Sequence, residues 1–199
     1  MAQATAGLLG HLPLPDRLIA VATRMFAEKG YENTSVQEIV NAAGVTKGAM
    51  YHYFGAKDDL LYEIYHRLLG LQMRRLEEIA EGPGDAAERL RAAARDVLHT
   101  SLLYLDDLTV FFRSTHLLSA DRREAVRAER RRYHERFRAL IEEGQREGAF
   151  GTRTPADVAA HFFFGSLHQI GAWYRPGGPL KAEEVGEHYV DLFLNGLRG

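Results

Sequence analysis

Residues 34–57 read T-S-V-Q-E-I-V-N-A-A-G-V-T-K-G-A-M-Y-H-Y-F-G-A-K, and this stretch decides the fold. Ser35 or Thr34 is suited to cap a short helix whose inward positions are Val36, Ile39, Val40 and Ala43. Gly44 supplies the turn, because a residue without Cβ takes the left-handed angles that end a helix. Val45 plugs the angle, and Thr46 caps a second helix over 47–53. Two helices this short cannot bury a core alone and need a third behind them. Such a helix-turn-helix lays its second helix in the major groove of DNA, so a DNA-binding protein is expected.

Helical spacing of apolar residues continues outward in both directions, and no segment sustains the period-two alternation of a strand. Pro15 and Asp16 open a helix to Lys29 with Leu18, Ile19, Ala22, Met25 and Phe26 on one face, and Gly30 closes it. Beyond the motif, helices are expected over 57–81, 85–104, 106–118, 120–147, 155–175 and 181–197. The breaks are Gly82-Pro83-Gly84, the loop 148–154 and Pro176-Gly177-Gly178-Pro179. Thr154-Pro155 places proline at the first position of the next helix. The expected architecture is all-α with nine helices. A disordered arm covers 1–12, a helix-turn-helix domain 13–56, and a ligand-binding and dimerisation domain 57–199.

Bulk properties narrow the function. The 199 residues suffice for one large or two small domains, and no apolar run approaches a membrane span. The first fourteen residues have no basic start or apolar stretch, so no secretion signal is expected. With no cysteine, thiolate metal sites and cysteine nucleophiles are excluded, and a cytoplasmic setting fits. Net charge is −2, so DNA affinity has to come from local placement of charge. Enzyme readings fail. Tyr53-x-x-x-Lys57 imitates a dehydrogenase pair but follows no strand with a glycine-rich loop. Glu63-x-x-His66 lacks the second copy and additional glutamates of a helical metal centre. No catalytic residue, metal ligand or cofactor is expected.

The elements F-A-E-K-G-Y (26–31), T-S-V-Q-E-I (34–39), A-A-G-V-T-K-G (42–48), Y-H-Y-F (51–54) and K-D-D-L (57–60) occur in an order that resembles the TetR family of one-component repressors. The resemblance implies that Ser35 and Thr46 meet phosphates at helix starts. It implies that Lys47, Gly48 and Ala49 lead the recognition helix, with Lys47 donating to guanine and the two small residues permitting close approach. Gln37 reaches toward a base edge, and Tyr51, His52, Tyr53 and Lys57 contact phosphates and sugars. Phe54 and Met50 are core. In the family the last two helices, here 155–175 and 181–197, form a four-helix bundle with a symmetry mate. A homodimer on a palindromic double-stranded operator is therefore implied.

The tail W-Y-R-P-G-G-P-L (173–180) is similar to members that regulate fatty-acid or steroid-ring catabolism and respond to acyl-CoA thioesters. In the body, Phe111, Phe112, His116, Tyr133, Phe137, His161, Phe164 and His168 supply the aromatic and polar mixture of a small-molecule site. Plain packing is the simpler reading of each. Residues 113–138 hold nine Arg against four Asp/Glu, either a solvated helix face or, with Arg175, a grip on CoA phosphates. Trp173 either stacks on the ligand or packs in the dimer seam. The expected function is a ligand-responsive repressor released by an acyl-CoA. The alternatives are a drug- or lipophile-sensing repressor of an efflux gene, and an interaction module without a ligand.

Overall fold

Capping chemistry sets where the helices begin. The computed structural model describes residues 11–199, so most of the arm expected over 1–12 lies outside the described residues. Among them the helices are α1 (Leu14–Lys29), α2 (Val36–Ala43), α3 (Lys47–Tyr53), α4 (Lys57–Ala80), α5 (Ala86–Leu103), α6 (Leu105–Ser114), α7 (Ala120–Arg146), α8 (Ala156–His168), α9 (Ile170–Trp173) and α10 (Ala182–Arg198). A 3₁₀ turn follows α6 at Thr115–Leu117, and no strand is present among the described residues. The nine expected helical stretches are all there. The one expected over 155–175 is interrupted at Gln169, whose N–H donates to the Ser166 carbonyl in a tightened last turn. Pro155 sits one place outside α8 as its cap residue.

The described residues form two compact units. One comprises the chain up to Leu68 together with Asp106–Val126; the other comprises Leu69–Leu105 and Arg127–Gly199. The first unit thus extends past residue 56, because α1–α3 alone bury too little. Leu60, Leu61, Ile64 and Tyr65 of α4 are wholly buried. The Tyr65 hydroxyl donates to the Val110 carbonyl at 3.1 Å, and its ring meets that of Phe111 edge-on at 5.0 Å.

In the second unit α5 lies along α10. Arg91 pairs with Asp191 and Arg95 with Glu187 across them. Phe137 of α7, Phe163 and Phe164 of α8, and Phe193 of α10 pack ring against ring in the centre. A buried polar contact also forms here, with the Gln72 amide donating to Thr100 at 3.1 Å.

Candidate DNA interface and effector site

The turn that opens the recognition helix is built by short polar side chains. Ser35 is the cap of α2. Its Oγ accepts from the Glu38 N–H at 3.2 Å, and the Glu38 carboxylate accepts from the Ser35 N–H at 2.9 Å. That N–H and the Lys29 ammonium hold the Glu38 carboxyl down at about 2. Thr34 is buried instead, donating to the Gly30 carbonyl at 2.9 Å. Gly44 takes φ 66° and ψ 36°, the left-handed conformation that lets the chain leave α2 and enter α3 within two residues. Thr46 Oγ1 accepts from the Ala49 N–H at 3.1 Å and starts α3.

This geometry sorts the recognition helix into two sides. Met50 is fully buried and Phe54 nearly so, which anchors α3 on α1 and α2. Thr46, Lys47, Gly48, Tyr51, His52 and Tyr53 are exposed, with Tyr51 at 49% and Tyr53 at 51%. Ala49 is partly covered. A Cβ on Gly48 would approach nothing closer than Thr46 Oγ1 at 3.8 Å, so the chain's own packing does not demand glycine there. Ser35 and Gln37 are also exposed, and the Gln37 amide donates to Asn41 at 2.8 Å.

Lys57 departs from the expected phosphate contact. Its ammonium donates to the Tyr31 carbonyl at 2.8 Å and the Thr34 carbonyl at 2.9 Å, and it sits over the Tyr31 ring. Two of its three donors are thereby turned to the loop between α1 and α2. Burial lowers its pKa. Beside it, the Arg122 guanidinium pairs with Asp58 at 2.8 Å and with Asp59, and Asp59 in turn accepts from the Ala56 N–H at 2.9 Å. The sequence offered no local signal for either clamp, since the partners lie far apart along the chain.

The ten residues expected around a ligand do not gather in one place. Phe111, Phe112 and His116 belong to the first unit, where Phe111 packs on Tyr65 and Phe112 while His116 is exposed. The other seven belong to the second unit. Tyr133, Phe137 and Phe164 are buried in its aromatic centre. Arg175 is not presented to a ligand: its guanidinium donates to the carbonyls of Gly171, Ala172 and Tyr174 and closes the end of α9. Trp173 lies nearly parallel to the Tyr189 ring at 6.3 Å and is part exposed.

A cavity of about 430 Å³ opens between α7 and α8. Arg127, Arg130, Arg131 and Arg138 line it with His134 and His161, against the carboxylates of Glu135 and Asp157. His161 is the member of the expected set that lines it. His134 stacks on Phe164 with ring centres 4.0 Å apart, and burial followed by the charges of Arg130, His161 and His168 pushes its pKa down to about 4. His168 is pushed the same way by burial and Arg130. The recurrence of Arg127, Arg131, His134 and Arg138 at helical spacing was the signal for this site.

Residues 18–64 match the family described as bacterial regulatory proteins, tetR family, and residues 83–197 match the tetracyclin repressor-like C-terminal domain. The chain belongs to the TetR family. It is a DNA-binding transcriptional regulator of that type and not an enzyme. This TetR-family chain is similar to the HTH-type transcriptional repressor KstR2 of Mycobacterium tuberculosis strain H37Rv, with 27% identity over 187 residues and 90% of each chain covered. The solved structure of that ketosteroid transcriptional regulator matches with a TM-score of 0.85 at 25% identity, covering 93% of this chain and 95% of that one. The TetR-family regulator PfmR of Thermus thermophilus matches with a TM-score of 0.84 at 33% identity, covering 92% and 100%. AibR, solved in complex with isovaleryl coenzyme A and operator DNA, shares the fold with a TM-score of 0.79 at 23% identity, covering 94% and 98%. No helix of the described residues is long and apolar enough to cross a membrane.

Proposed function

We propose that this regulator is a homodimeric, cytoplasmic repressor that sits on a palindromic operator and is released from it by an acyl-CoA thioester. The observation that carries the operator reading is the exposed side of α3, where Lys47, Tyr51, His52 and Tyr53 stand clear of the core that Met50 anchors. Lys47 supplies donors for guanine O6 and N7, and the two tyrosines supply hydroxyls for phosphate. Dimerisation is supported by the apolar side chains left in water on α8 and α10, with Phe162 69% and Leu192 75% exposed. Gly165 and Gly196 are open enough that an added Cβ would meet nothing within 4 Å, which suits a second helix approaching closely. A two-fold pair of reading heads matches half-sites about 34–36 Å apart or somewhat more.

The thioester reading draws on the W-Y-R-P-G-G-P-L tail and on two relatives, KstR2, described as a ketosteroid regulator, and AibR, solved with isovaleryl coenzyme A. Release requires that the thioester bind the DNA-incompetent arrangement more tightly than the competent one. A hundredfold loss of operator affinity needs ~2.7 kcal/mol of such coupling.

The test begins with DNA selected by the protein from a random pool, followed by anisotropy titrations. A palindromic selected site is expected, with Lys47→Ala binding it at least about tenfold more weakly. Acyl-CoA thioesters should release the protein while the free acids do not. Release by lipophilic drugs alone, or a selected site without two-fold symmetry, would overturn the respective half of the proposal.

A further inference from the structure

We infer that the cavity between α7 and α8 is a binding site for a ligand carrying two or more phosphate groups, held by Arg127, Arg130, Arg131 and Arg138. The inference rests on the ligand-responsive reading above and adds to it the part of the effector that this cavity takes.

Charge comes first. Four guanidiniums face the cavity against the two carboxylates of Glu135 and Asp157, so its lining is net positive with the imidazoles neutral. Arg138 also pairs with Glu142 at 3.5 Å, which still leaves the balance positive. Like charges at helical i,i+4 spacing repel one another. Arg127, Arg131 and Arg138 are therefore in mutual opposition on one side of α7 until an anion enters between them.

Donors come next. Each guanidinium offers a planar fork of N–H groups matched to phosphate oxygens, and His134 and His161 add imidazole nitrogens. Acceptors within the lining are few by comparison. The span decides how many anionic groups are needed. From Arg127 to Arg138 is eleven residues of helix, about 16 Å at 1.5 Å per residue. One phosphate or carboxylate cannot meet both ends of that row, whereas a chain of phosphate groups can. The volume of about 430 Å³ falls within the roughly 300–1,000 Å³ usual for small-molecule sites. His134 is fixed against Phe164, so one wall of the cavity is rigid before any ligand arrives.

The same chemistry is offered by a coenzyme A moiety, by a free nucleoside diphosphate and by pyrophosphate. Calorimetric titration of the purified full chain with pyrophosphate, ADP, free coenzyme A and butyryl-coenzyme A separates these sources. Arg127→Gln/Arg131→Gln is the test variant, and Arg132→Gln, an exposed arginine of the same helix outside the lining, is the control. Both positions of the test variant are exposed, and circular dichroism confirms that each protein is folded. Binding of at least one phosphate probe is expected, weakened about tenfold or more per guanidinium removed and unchanged in the control.

Coenzyme A binding with ADP inactive would assign the site to the coenzyme; equal binding of ADP would assign it to free nucleotides. Equal affinity in the double variant, or no binding of any phosphate probe to the unmodified protein, overturns the inference. Arginine-dependent coenzyme A binding that leaves operator affinity unchanged would uphold it while sinking the thioester-release proposal. Thioester release untouched by the double variant would do the reverse.

Discussion

The Lys57 ammonium lies 4.0 Å from the centre of the Tyr31 ring and donates to the carbonyl of that same residue. One charge at the start of α4 thereby fixes the loop that leads into α2, through both Tyr31 and Thr34. Lys57→Met keeps the aliphatic stem and removes the donors. Losing charge-assisted hydrogen bonds of this kind costs roughly 1.5–3 kcal/mol when the acceptors are shielded, and less where water replaces the ammonium. A lower unfolding temperature is expected, together with weaker operator binding that retains its sequence preference. If Lys57 acted only as a phosphate contact, the variant would lose DNA affinity and salt sensitivity with no change in melting.

The exposed apolar side chains of α8 and α10 predict the oligomeric state. Phe162→Glu and Leu192→Glu each place a charge where the proposed bundle excludes water, so sedimentation velocity should show monomers at concentrations where the unmodified chain is a dimer. Operator affinity should fall with dissociation. Melting of the monomer should change little, since neither side chain contributes to the buried core. A protein that is monomeric to begin with would remove the basis for a palindromic operator.

Gly144, on the last turns of α7, is tied to Phe150. A Cβ there would lie 2.4 Å from two carbons of that ring, and Phe150 is itself buried. Gly144→Ala gains helix propensity but forces the ring or the helix to move, and overpacking of this kind costs about 1–3 kcal/mol. Urea denaturation should register a net loss. The double variant Gly144→Ala/Phe150→Leu should recover part of it, which a simple propensity effect would not produce.

His134 makes stability depend on acidity in a definite direction. Its folded pKa of about 4 lies below the ordinary value of 6.5, because it is buried on Phe164 and faces Arg130, His161 and His168, with Asp157 opposing. The unfolded chain therefore binds a proton that the folded chain refuses between about pH 6.5 and 4, and stability falls as pH drops through that window. His168 acts in the same sense. Asp107, pushed up to about 6 by burial, acts in the opposite sense, since its folded form favours the proton. The clean measurement is the difference between unmodified protein and His134→Phe. The variant should gain relative stability as pH falls from 7.5 to 5, and a difference that stays flat would count against the burial of a neutral imidazole.

Much of the reading head was legible along the chain because its determinants are local. A capping box needs residues three apart, Gly44 needs only its own backbone freedom, and Thr46 caps a turn within its own reach. Order and spacing of these signals also carried the family. Ionic and aromatic partnerships were not legible in the same way. Arg175 has the charge of a phosphate ligand in sequence, yet its guanidinium is used by three carbonyls at the end of α9. Lys57 sits at the end of a DNA-binding motif, yet faces inward to residues more than twenty positions earlier.

The sequence by itself determined an all-helical chain, the turn at Gly44, the exposed polar side of α3 and the family to which these belong, since each follows from backbone conformation or from neighbours within one or two helical turns. Only the tertiary structure decided which arginines of α7 converge on a cavity, that His134 is held neutral against Phe164, and that Phe111 and Phe112 lie in a different compact unit from Phe137 and Phe164. Those outcomes depend on which sides of distant helices meet. Helical periodicity names a side but not its partner.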